Sequence, residues 1–286
     1  MVRFRNPEPL AVAASRGDEA FAGGKGRGLG MQQWVNISVL KKKWLIMKNF
    51  TLLSVFTLAG VMAVAQNPKV ITDPNAQKRT VSSFHGIAIQ SGIDLYLNQG
   101  GDEAVAVSAS DPEYRDRIIT EVEDGILHIR LDDKFHWNRG WGNRKLKAYV
   151  SCKVLDQLKA SGGSDVYIDE AIKSQKLELH LSGGSDLHGK LQVGELTVGQ
   201  SGGADAFISG SASQLDVHVS GGSDFHGYDL TVDDCHAQAT GGSDVYVTVN
   251  KELDAIASGG SDIHYKGNGT VRETHTSGSG SVSRKD

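Results

Sequence analysis

The sequence predicts an all-β protein folded as a β-solenoid with coils of about 19 residues. Three observations support this fold class: a glycine-rich composition, a repeated pentapeptide, and alternation of apolar and polar residues around each repeat. Glycine accounts for 35 of the 286 residues and proline for only 5. Because no Gly-X-Y period accompanies the glycine, the composition indicates many tight turns and excludes collagen.

The pentapeptide Ser-Gly-Gly-Ser-Asp defines the repeat. Its aspartates follow one another at intervals of 18 to 21 residues, which is typical of a solenoid or another array. One copy has Ala204 in place of the second serine, and degenerate relatives lie at 91–94 and 277–281. The six aspartates of the repeat are Asp165, Asp186, Asp205, Asp224, Asp244 and Asp262.

Each repeat has the pattern of a strand, a glycine turn and a second strand. Before one turn, Leu177, Leu179 and Leu181 alternate with polar residues, as in a strand with one buried face. After each aspartate comes an apolar residue, which we expect to point inward. Two strands in about 19 residues leave no room for the helix of an ankyrin or leucine-rich repeat, or for a four-stranded propeller blade. The architecture that fits two strands per repeat is a β-solenoid, in which successive coils stack on one another.

The glycine turns have a defined chemistry. Paired glycines allow the positive φ that a sharp bend requires. The flanking serine and aspartate are expected to accept hydrogen bonds from backbone amides of their own turn.

The segment 66–150 is less regular. Its patterns predict strands at 84–90, 93–98, 104–109, 118–122, 126–131 and 145–152, with a hairpin turn at 123–125 and a helical turn within 111–117. The loop 134–144 carries Trp137 and Trp141. We expect this loop to be exposed, where it either grips a ligand or covers the first coil.

The chain is predicted to contain one domain behind an export signal. Residues 47–65 have a positive start, a short apolar core and an Ala-x-Ala end, as in a cleaved signal peptide. Residues 1–46 are predicted to be an extension read from a start codon placed too early. A linker at 66–79, a solenoid at 80–281 and a tail at 282–286 follow. Within the solenoid, 80–152 forms the irregular first coils and 153–281 the regular repeats.

This organisation predicts a location outside the cytoplasm. The protein is expected in the periplasm or on the cell surface, the periplasm being favoured, with no membrane span after signal cleavage. The net charge is −4, but residues 66–286 contain 21 basic and 31 acidic residues. Because so acidic a body repels phosphate, nucleic acid is excluded as a partner.

The two cysteines, Cys152 and Cys235, are predicted to be free and buried. Four coils at ~4.8 Å each would place them about 19 Å apart. A disulfide requires Cα atoms within about 7 Å.

A planar ring stands two residues after each aspartate of the repeat. Strand alternation turns these rings outward. They either stack between coils or, with the aspartates and serines, form a groove for an extended polysaccharide. The rings are Tyr167, His188, Phe207, His226, Tyr246 and His264.

Two metal hypotheses arise from the repeats. Calcium between coils would relieve repulsion in the aspartate row, although the spacing differs from that of calcium-binding nonapeptide solenoids. Imidazoles around one turn could hold zinc or copper, but surface strand positions readily take histidine without a ligand role. No cofactor is otherwise predicted. The candidate zinc or copper ligands are His180, Asp186, His188, His218, Asp224 and His226.

Residues 80–281 resemble the putative auto-transporter adhesin, head GIN domain family of bacterial envelope proteins. The resemblance rests on 84–87 leading into 91–97, on 155–162 opening the repeats, and on the Ser-Gly-rich coils that follow. Gly92-Ile93-Asp94 stands where the family name has Gly-Ile-Asn. The resemblance implies a right-handed β-solenoid outside the cytoplasm and implies no catalytic residues.

The sequence favours a non-catalytic binding or adhesion module. It contains no phosphate-binding loop, no dinucleotide-binding glycine motif on a strand and helix, and no nucleophile elbow. A structural or protein-interaction component of the envelope is the alternative, and a carbohydrate-active enzyme is third. An enzyme would need one unique carboxylate pair, whereas these carboxylates recur on every coil. The partner is a glycan or an envelope protein, and the oligomeric state is not defined.

Overall fold

The protein is described by a computed structural model for residues 72–132 and 144–285. The predictions for 1–46, for 47–65 and for the two tryptophans therefore lie outside the described residues. Strands hold 69% of the described residues and helix only 2%. The strands form a β-solenoid of about seven turns with a spacing of about 19 residues, which confirms the predicted fold class.

Five long strands build the regular coils. Each runs from one glycine turn to the next, so the two strands predicted per repeat form one continuous, bent strand. Register shifts interrupt the pairing of these strands, for example between Gly189 and Leu191, and a bulge of this kind bends a strand. The strands pair parallel in chain order. They are β9 (Val166–Ser182), β10 (Leu187–Ser201), β11 (Ala206–Gly221), β12 (Asp224–Gly241) and β13 (Asp244–Gly259).

Apolar side chains fill the inside of every coil. The residue after each aspartate is fully buried, as predicted. Side-chain volumes compensate between coils: Phe225 lies in register with the small Ala206. A Cβ at Gly227 would lie only 2.4 Å from Cε1 of Phe225, so the glycine provides the space for this ring.

The glycine turns stack directly on one another. Gly221 has φ +83°, and a Cβ there would lie 3.1 Å from the backbone N of Gly202. This position therefore requires glycine both for its backbone conformation and for the close approach of the neighbouring coil.

The first coil in the chain does not lie at the end of the stack. It consists of β2 (Gly86–Ile89) and β3 (Asp94–Gln99), and later strands flank it on both sides. On one side lie β8 (Gln157–Ala160) and β9, and on the other lie β6 (Ile126–Leu131) and β7 (Lys147–Cys152). The chain thus leaves the first coil, builds the N-terminal end of the stack, and returns to continue in the opposite direction.

Antiparallel strands close the N-terminal end. Strands β1 (Gln77–Arg79) and β4 (Ala104–Ser108) extend the sheet beyond β7, and β5 (Ile118–Glu123) pairs with β6. The hairpin between β5 and β6 and the helical turn, α1 (Pro112–Asp116), confirm their predictions. The sheet begins three residues before the predicted boundary at 80, because β1 pairs with β4.

The C-terminal coil consists of β14 (Asp262–Lys266), β15 (Thr270–Gly278) and β16 (Ser281–Arg284). Strand β15 pairs with β13, and β16 pairs with β14. Strand β16 extends into the segment 282–286 that was predicted to be a tail.

Both cysteines are free and buried, as predicted. Cys235 occupies the inward position held by Leu215 and Leu253 in the neighbouring coils. The strand order β7-β3-β9-β10-β11-β12 separates the cysteines by five strand spacings instead of the predicted four, because β3 intervenes. Burial raises the pKa of the Cys152 thiol to about 12.

The described residues contain no helix that is long and apolar enough to cross a membrane.

Candidate functional site

The rings that follow the aspartates, together with Tyr149, form a continuous stack, here called the ring column. Neighbouring centroids are 4.4–5.7 Å apart, and Phe207 lies between His188 and His226 with interplanar angles of 2° and 6°. The side chains are half-buried or exposed, as the alternation predicted. In order, the column contains Tyr149, Tyr96, Tyr167, His188, Phe207, His226, Tyr246 and His264.

Sequence reasoning missed two of these eight rings. Tyr96 stands two residues after Asp94, so the repeat pattern contained the signal for it. Tyr149 had no such signal, because the pairing of β7 with β3 alone brings it onto Tyr96 at 5.2 Å. The Tyr149 hydroxyl donates a 2.8 Å hydrogen bond to Asp73. Burial, together with this bond, raises the pKa of Tyr149.

Stacking determines which parts of the rings a ligand can reach. Each interior ring has a neighbour on both faces, so the ring edges and polar atoms are the parts turned to solvent. A sugar therefore cannot lie flat on an interior ring, and a polysaccharide in the predicted groove would contact the ring edges instead. Phe207 is 38% exposed through this edge and is the most exposed large apolar residue of the column.

A row of aspartates runs parallel to the ring column. In the five aspartates from Asp165 to Asp244, the Oδ1 atom accepts a hydrogen bond from the backbone amide of the aspartate one coil further on, at 2.9–3.2 Å. The prediction that each aspartate bonds its own turn is therefore wrong. In-register stacking places the next coil's amide directly beside the carboxylate, so the bond runs between coils.

Both ends of the aspartate row have a partner. At one end, Lys147 stands in register with Asp94, which precedes the six aspartates of the repeat. Burial, and then the charge of Asp165, raises the pKa of Asp94. At the other end, the Ser281 hydroxyl donates to Asp262 at 2.6 Å.

The second serine of each turn is buried and also links coils. Ser185 Oγ accepts the amide of Ser164 at 3.0 Å, for example. Where Ala204 replaces this serine, the inward Gln200 donates from Nε2 to the Ala204 and Asp224 carbonyls at 2.7 and 2.9 Å. The Gln200 Oε1 atom is buried without a hydrogen-bond partner.

A groove of about 760 Å³ runs along the ring column across the coils from β9 to β13. Ile168 and Ile208 are buried at its base. Tyr228 packs edge-on against Tyr246, with centroids 5.3 Å apart, and carries the Lys266 ammonium 4.2 Å above its ring. The groove thus combines apolar surface with ring edges and a few charged and hydroxyl groups. Its polar lining includes Asp169, Lys190, Ser209, Tyr228 and Asp229.

The structure separates the candidate zinc or copper ligands. His188 and His226 belong to the ring column, whereas His180 and His218 lie in register with Gly199 beyond the bend of the coil. His218 contacts Asp216 and Gln238, both at 3.0 Å. Gly199 opens a second, smaller cleft of about 410 Å³ between the two histidines. Within 72–132 and 144–285, no group of three or more His, Cys, Asp or Glu residues is placed to hold a metal ion.

The family comparison agrees with this architecture. The model of the putative auto-transporter adhesin, head GIN domain family matches residues 83–269, well over half of the chain. The chain belongs to this family. The match runs from just before the first coil, through the regular coils, and into the C-terminal coil of this head GIN domain, ending between β14 and β15.

Three solved structures share the fold of this head GIN domain. A putative adhesin from Bacteroides fragilis is 20% identical and has a TM-score of 0.68, covering 73% of this chain and 96% of its own. A putative adhesin from Parabacteroides distasonis is 22% identical with a TM-score of 0.59, covering 74% and 96%. A putative lipid binding protein from the same species is 19% identical with a TM-score of 0.56, covering 75% and 98%. No curated protein matches the chain.

Proposed function

We propose that this head GIN domain is a non-catalytic binding module that holds an extended polysaccharide in the groove along the ring column. The observation that carries the proposal is the groove itself, which crosses several coils and combines an apolar base with a few polar groups. Such a mixture is usual in ligand sites. The description of family members as adhesins, rather than enzymes, supports a binding role.

The charges around the groove select among polysaccharides. The aspartate row lies two residues from the rings, and Asp169 and Asp229 line the groove itself. Lys190 also lines the groove, and the Lys266 ammonium lies over the ring of Tyr228, so these two cations face the carboxylates of the groove and of the aspartate row. Because like charges repel across such short distances, a uronate or sulfated chain is disfavoured. The ligand is therefore a neutral or amino-sugar polysaccharide.

The ring column sets the mode of contact. Ring edges, imidazole nitrogens and tyrosine hydroxyls face the ligand, so its hydroxyl groups bind through hydrogen bonds while the exposed edge of Phe207 supplies apolar contact. Tyr167 and Tyr246 are four strand spacings apart, which corresponds to roughly 19 Å. The groove therefore accommodates a short run of sugar units.

The same proposal includes export. The signal-like pattern at 47–65 and the envelope setting of the family support action in the periplasm or on the cell surface. Mass spectrometry of the protein from its native cells is expected to show an N-terminus at Gln66. Peptides from 1–46 in the same sample would contradict this part of the proposal.

A glycan array probed with the purified chain tests the binding role. Ser209→Trp places a large side chain in the groove without removing a ring. We expect this variant to lose binding to the neutral glycans that the unmodified chain binds on the array. Gln214→Trp is the matched control, because Gln214 is exposed on the same strand and outside the groove. Equal binding by both variants, or no glycan bound at all, would refute the proposal.

Removing rings complements the steric block. Tyr167, Phe207 and Tyr246 changed together to alanine should weaken binding and lower thermal stability. Ser209→Trp loses only the hydroxyl bond from Ser209 to the Gly189 carbonyl, so it should lower the melting temperature much less than the triple variant, and the two variants separate loss of the groove from loss of the column.

A further inference from the structure

A second row of outward side chains lies on the other side of the glycine turns from the ring column. It arises because the segments 180–189 and 218–227 are nearly identical, with one histidine at the start and another after the glycine turn. The segment between them, 199–208, has Gly199 in the place of the first histidine and Phe207 in the place of the second. Over these three coils, the two rows therefore differ only in the residue of the middle coil.

The ring column shows how a ring fills the middle position. Phe207 stands in register with His188 and His226. Its ring stacks on both imidazoles, with centroid distances of 4.6 and 4.4 Å and interplanar angles of 2° and 6°. Two histidines that are two coils apart thus hold exactly one aromatic ring between them in this fold.

The corresponding place in the second row is open. Gly199 stands in register with His180 and His218, which places the two histidines two strand spacings, about 9.6 Å, apart. The residue between them has no side chain, and a cleft of about 410 Å³ opens there. Because the spacing is that of the filled row, one planar ring fits between the two imidazoles.

The two imidazoles differ in how firmly they are held. His218 contacts Gln238 at 3.0 Å and packs edge-on against His236, with ring centroids 5.8 Å apart. His180 is exposed, and its Nδ1 atom would lie 3.1 Å from a Cβ at Gly199, so its ring leans into the open space. A ring that enters the cleft therefore meets one fixed wall and one wall that rotates to close on it.

Hydroxyl groups line the cleft on the side of the glycine turns. Ser201 follows Gly199 by two residues on the outward face and is exposed, and Ser182 stands in register with it. Ser220 and Thr240 complete this part of the lining. A hydroxyl group on the inserted ring would reach these side chains, so a phenol suits the cleft better than a hydrocarbon ring.

We propose that this cleft binds a single planar aromatic ring bearing a hydroxyl group, which inserts between His180 and His218 over Gly199. The contact requires no particular protonation state, because a neutral imidazole stacks as an aromatic ring and an imidazolium binds a ring face as a cation. The ring belongs to a small phenolic molecule or to a tyrosine side chain of a partner protein. The cleft shares no lining residue with the groove, so this inference is independent of what the groove binds.

Titration of the full chain with 4-methylphenol, followed by NMR of the histidine Cε1–H groups, tests the site. An aromatic ring shields protons above and below its plane, so the signals of His180 and His218 should both shift upfield and saturate, with a dissociation constant of about 1–10 mM. 4-Methylcyclohexanol carries the same substituents on a ring that is not planar, and should bind at least about fivefold more weakly. No saturable shift at the two histidines, or equal affinity for both compounds, would overturn the proposal.

Gly199→Phe fills the site from within. The backbone of Gly199 has no positive φ, and the atoms close to its Cβ belong to the exposed His180 ring, so a phenylalanine can be accommodated. We expect this variant to lose 4-methylphenol binding and to show both histidine signals shifted upfield without ligand. Gln192→Phe is the matched control, because Gln192 is exposed on the same strand and outside the cleft, and it should bind normally. Undiminished binding by Gly199→Phe would contradict the proposal.

His180→Gln tests the same site without adding a side chain. Loss of one stacked wall should raise the dissociation constant for 4-methylphenol about two- to tenfold, with unchanged circular dichroism, and an unaltered affinity would refute the insertion between the two imidazoles. The tripeptide Gly-Tyr-Gly with blocked ends distinguishes the two sources of the ring. Tighter binding of the tripeptide than of 4-methylphenol assigns the cleft to a partner protein, and weaker binding assigns it to a small phenolic molecule.

Discussion

Each aspartate of the repeat connects two coils through one side-chain oxygen. Asp205 illustrates the arrangement: its Oδ1 accepts the Asp224 amide at 2.9 Å, while its own amide donates to Asp186. A carboxylate is a strong acceptor for an amide, and this bond costs little because the neighbouring coil already holds the donor in place. The recurring aspartate is therefore explained by stacking rather than by catalysis.

Substitution of Asp205 tests this role. Asp205→Ala leaves the Asp224 amide without its acceptor and is expected to lower the free energy of unfolding by about 1–3 kcal/mol. Asp205→Asn keeps an oxygen that accepts the same hydrogen bond, so its loss should be smaller. Urea unfolding of both variants measures the difference. Equal losses would show that the hydrogen bond between coils is not what the side chain contributes.

Asp94 gives a pH-dependent prediction. Burial and the charge of Asp165 raise its pKa above that of the unfolded chain, so the folded state prefers the protonated form. Its contribution to stability is then greatest below the unfolded pKa and falls as the pH rises through the folded pKa. Asp94→Asn removes this penalty and retains an acceptor. The melting temperature of the variant should exceed that of the unmodified chain at pH 7, and the difference should vanish near pH 3. A larger gain at pH 3 would contradict this reasoning.

At the scale of the strand, the ring column shows how one residue per coil becomes a continuous surface. Parallel, in-register pairing repeats every position at the strand spacing, so Phe207 meets a ring on each face. The sequence period was sufficient to predict the six rings of the repeats, the inward apolar residues and the glycine turns. The period was not sufficient to predict the hydrogen bonds of the aspartates. It does not show whether an amide of the same coil or an amide of the next coil lies nearer to each carboxylate.

Phe207 provides the test of the column. Phe207→Leu keeps an apolar side chain but removes two stacked contacts, at 4.6 and 4.4 Å. Each contact is worth about 0.5–1.5 kcal/mol, so urea unfolding should show a loss of about 1–3 kcal/mol. Phe207→Tyr keeps the ring and should change stability much less. If the leucine and tyrosine variants were equally stable, stacking would contribute nothing.

At the scale of the whole molecule, the order of the first coils could not be predicted. Strands β3, β7 and β9 all have alternating inward and outward residues, so the pattern allows each to pair with either of the others. The structure places β3 in the middle, although β7 lies between the other two in the chain. This exchange brings Tyr149 onto the ring column and separates the cysteines by one further coil. Long-range pairing of similar strands leaves no local signal.

The groove is a property of the stacked coils together, because its lining comes from five successive strands. Its length therefore tests the account most directly. Calorimetry with a series of increasingly long oligosaccharides, taken from a neutral polysaccharide that binds on the array, should show affinity rising until the ligand spans roughly 19 Å and then levelling off. The series should show no binding to the Ser209→Trp variant. Affinity that does not depend on length, or that is unchanged in this variant, would contradict the account.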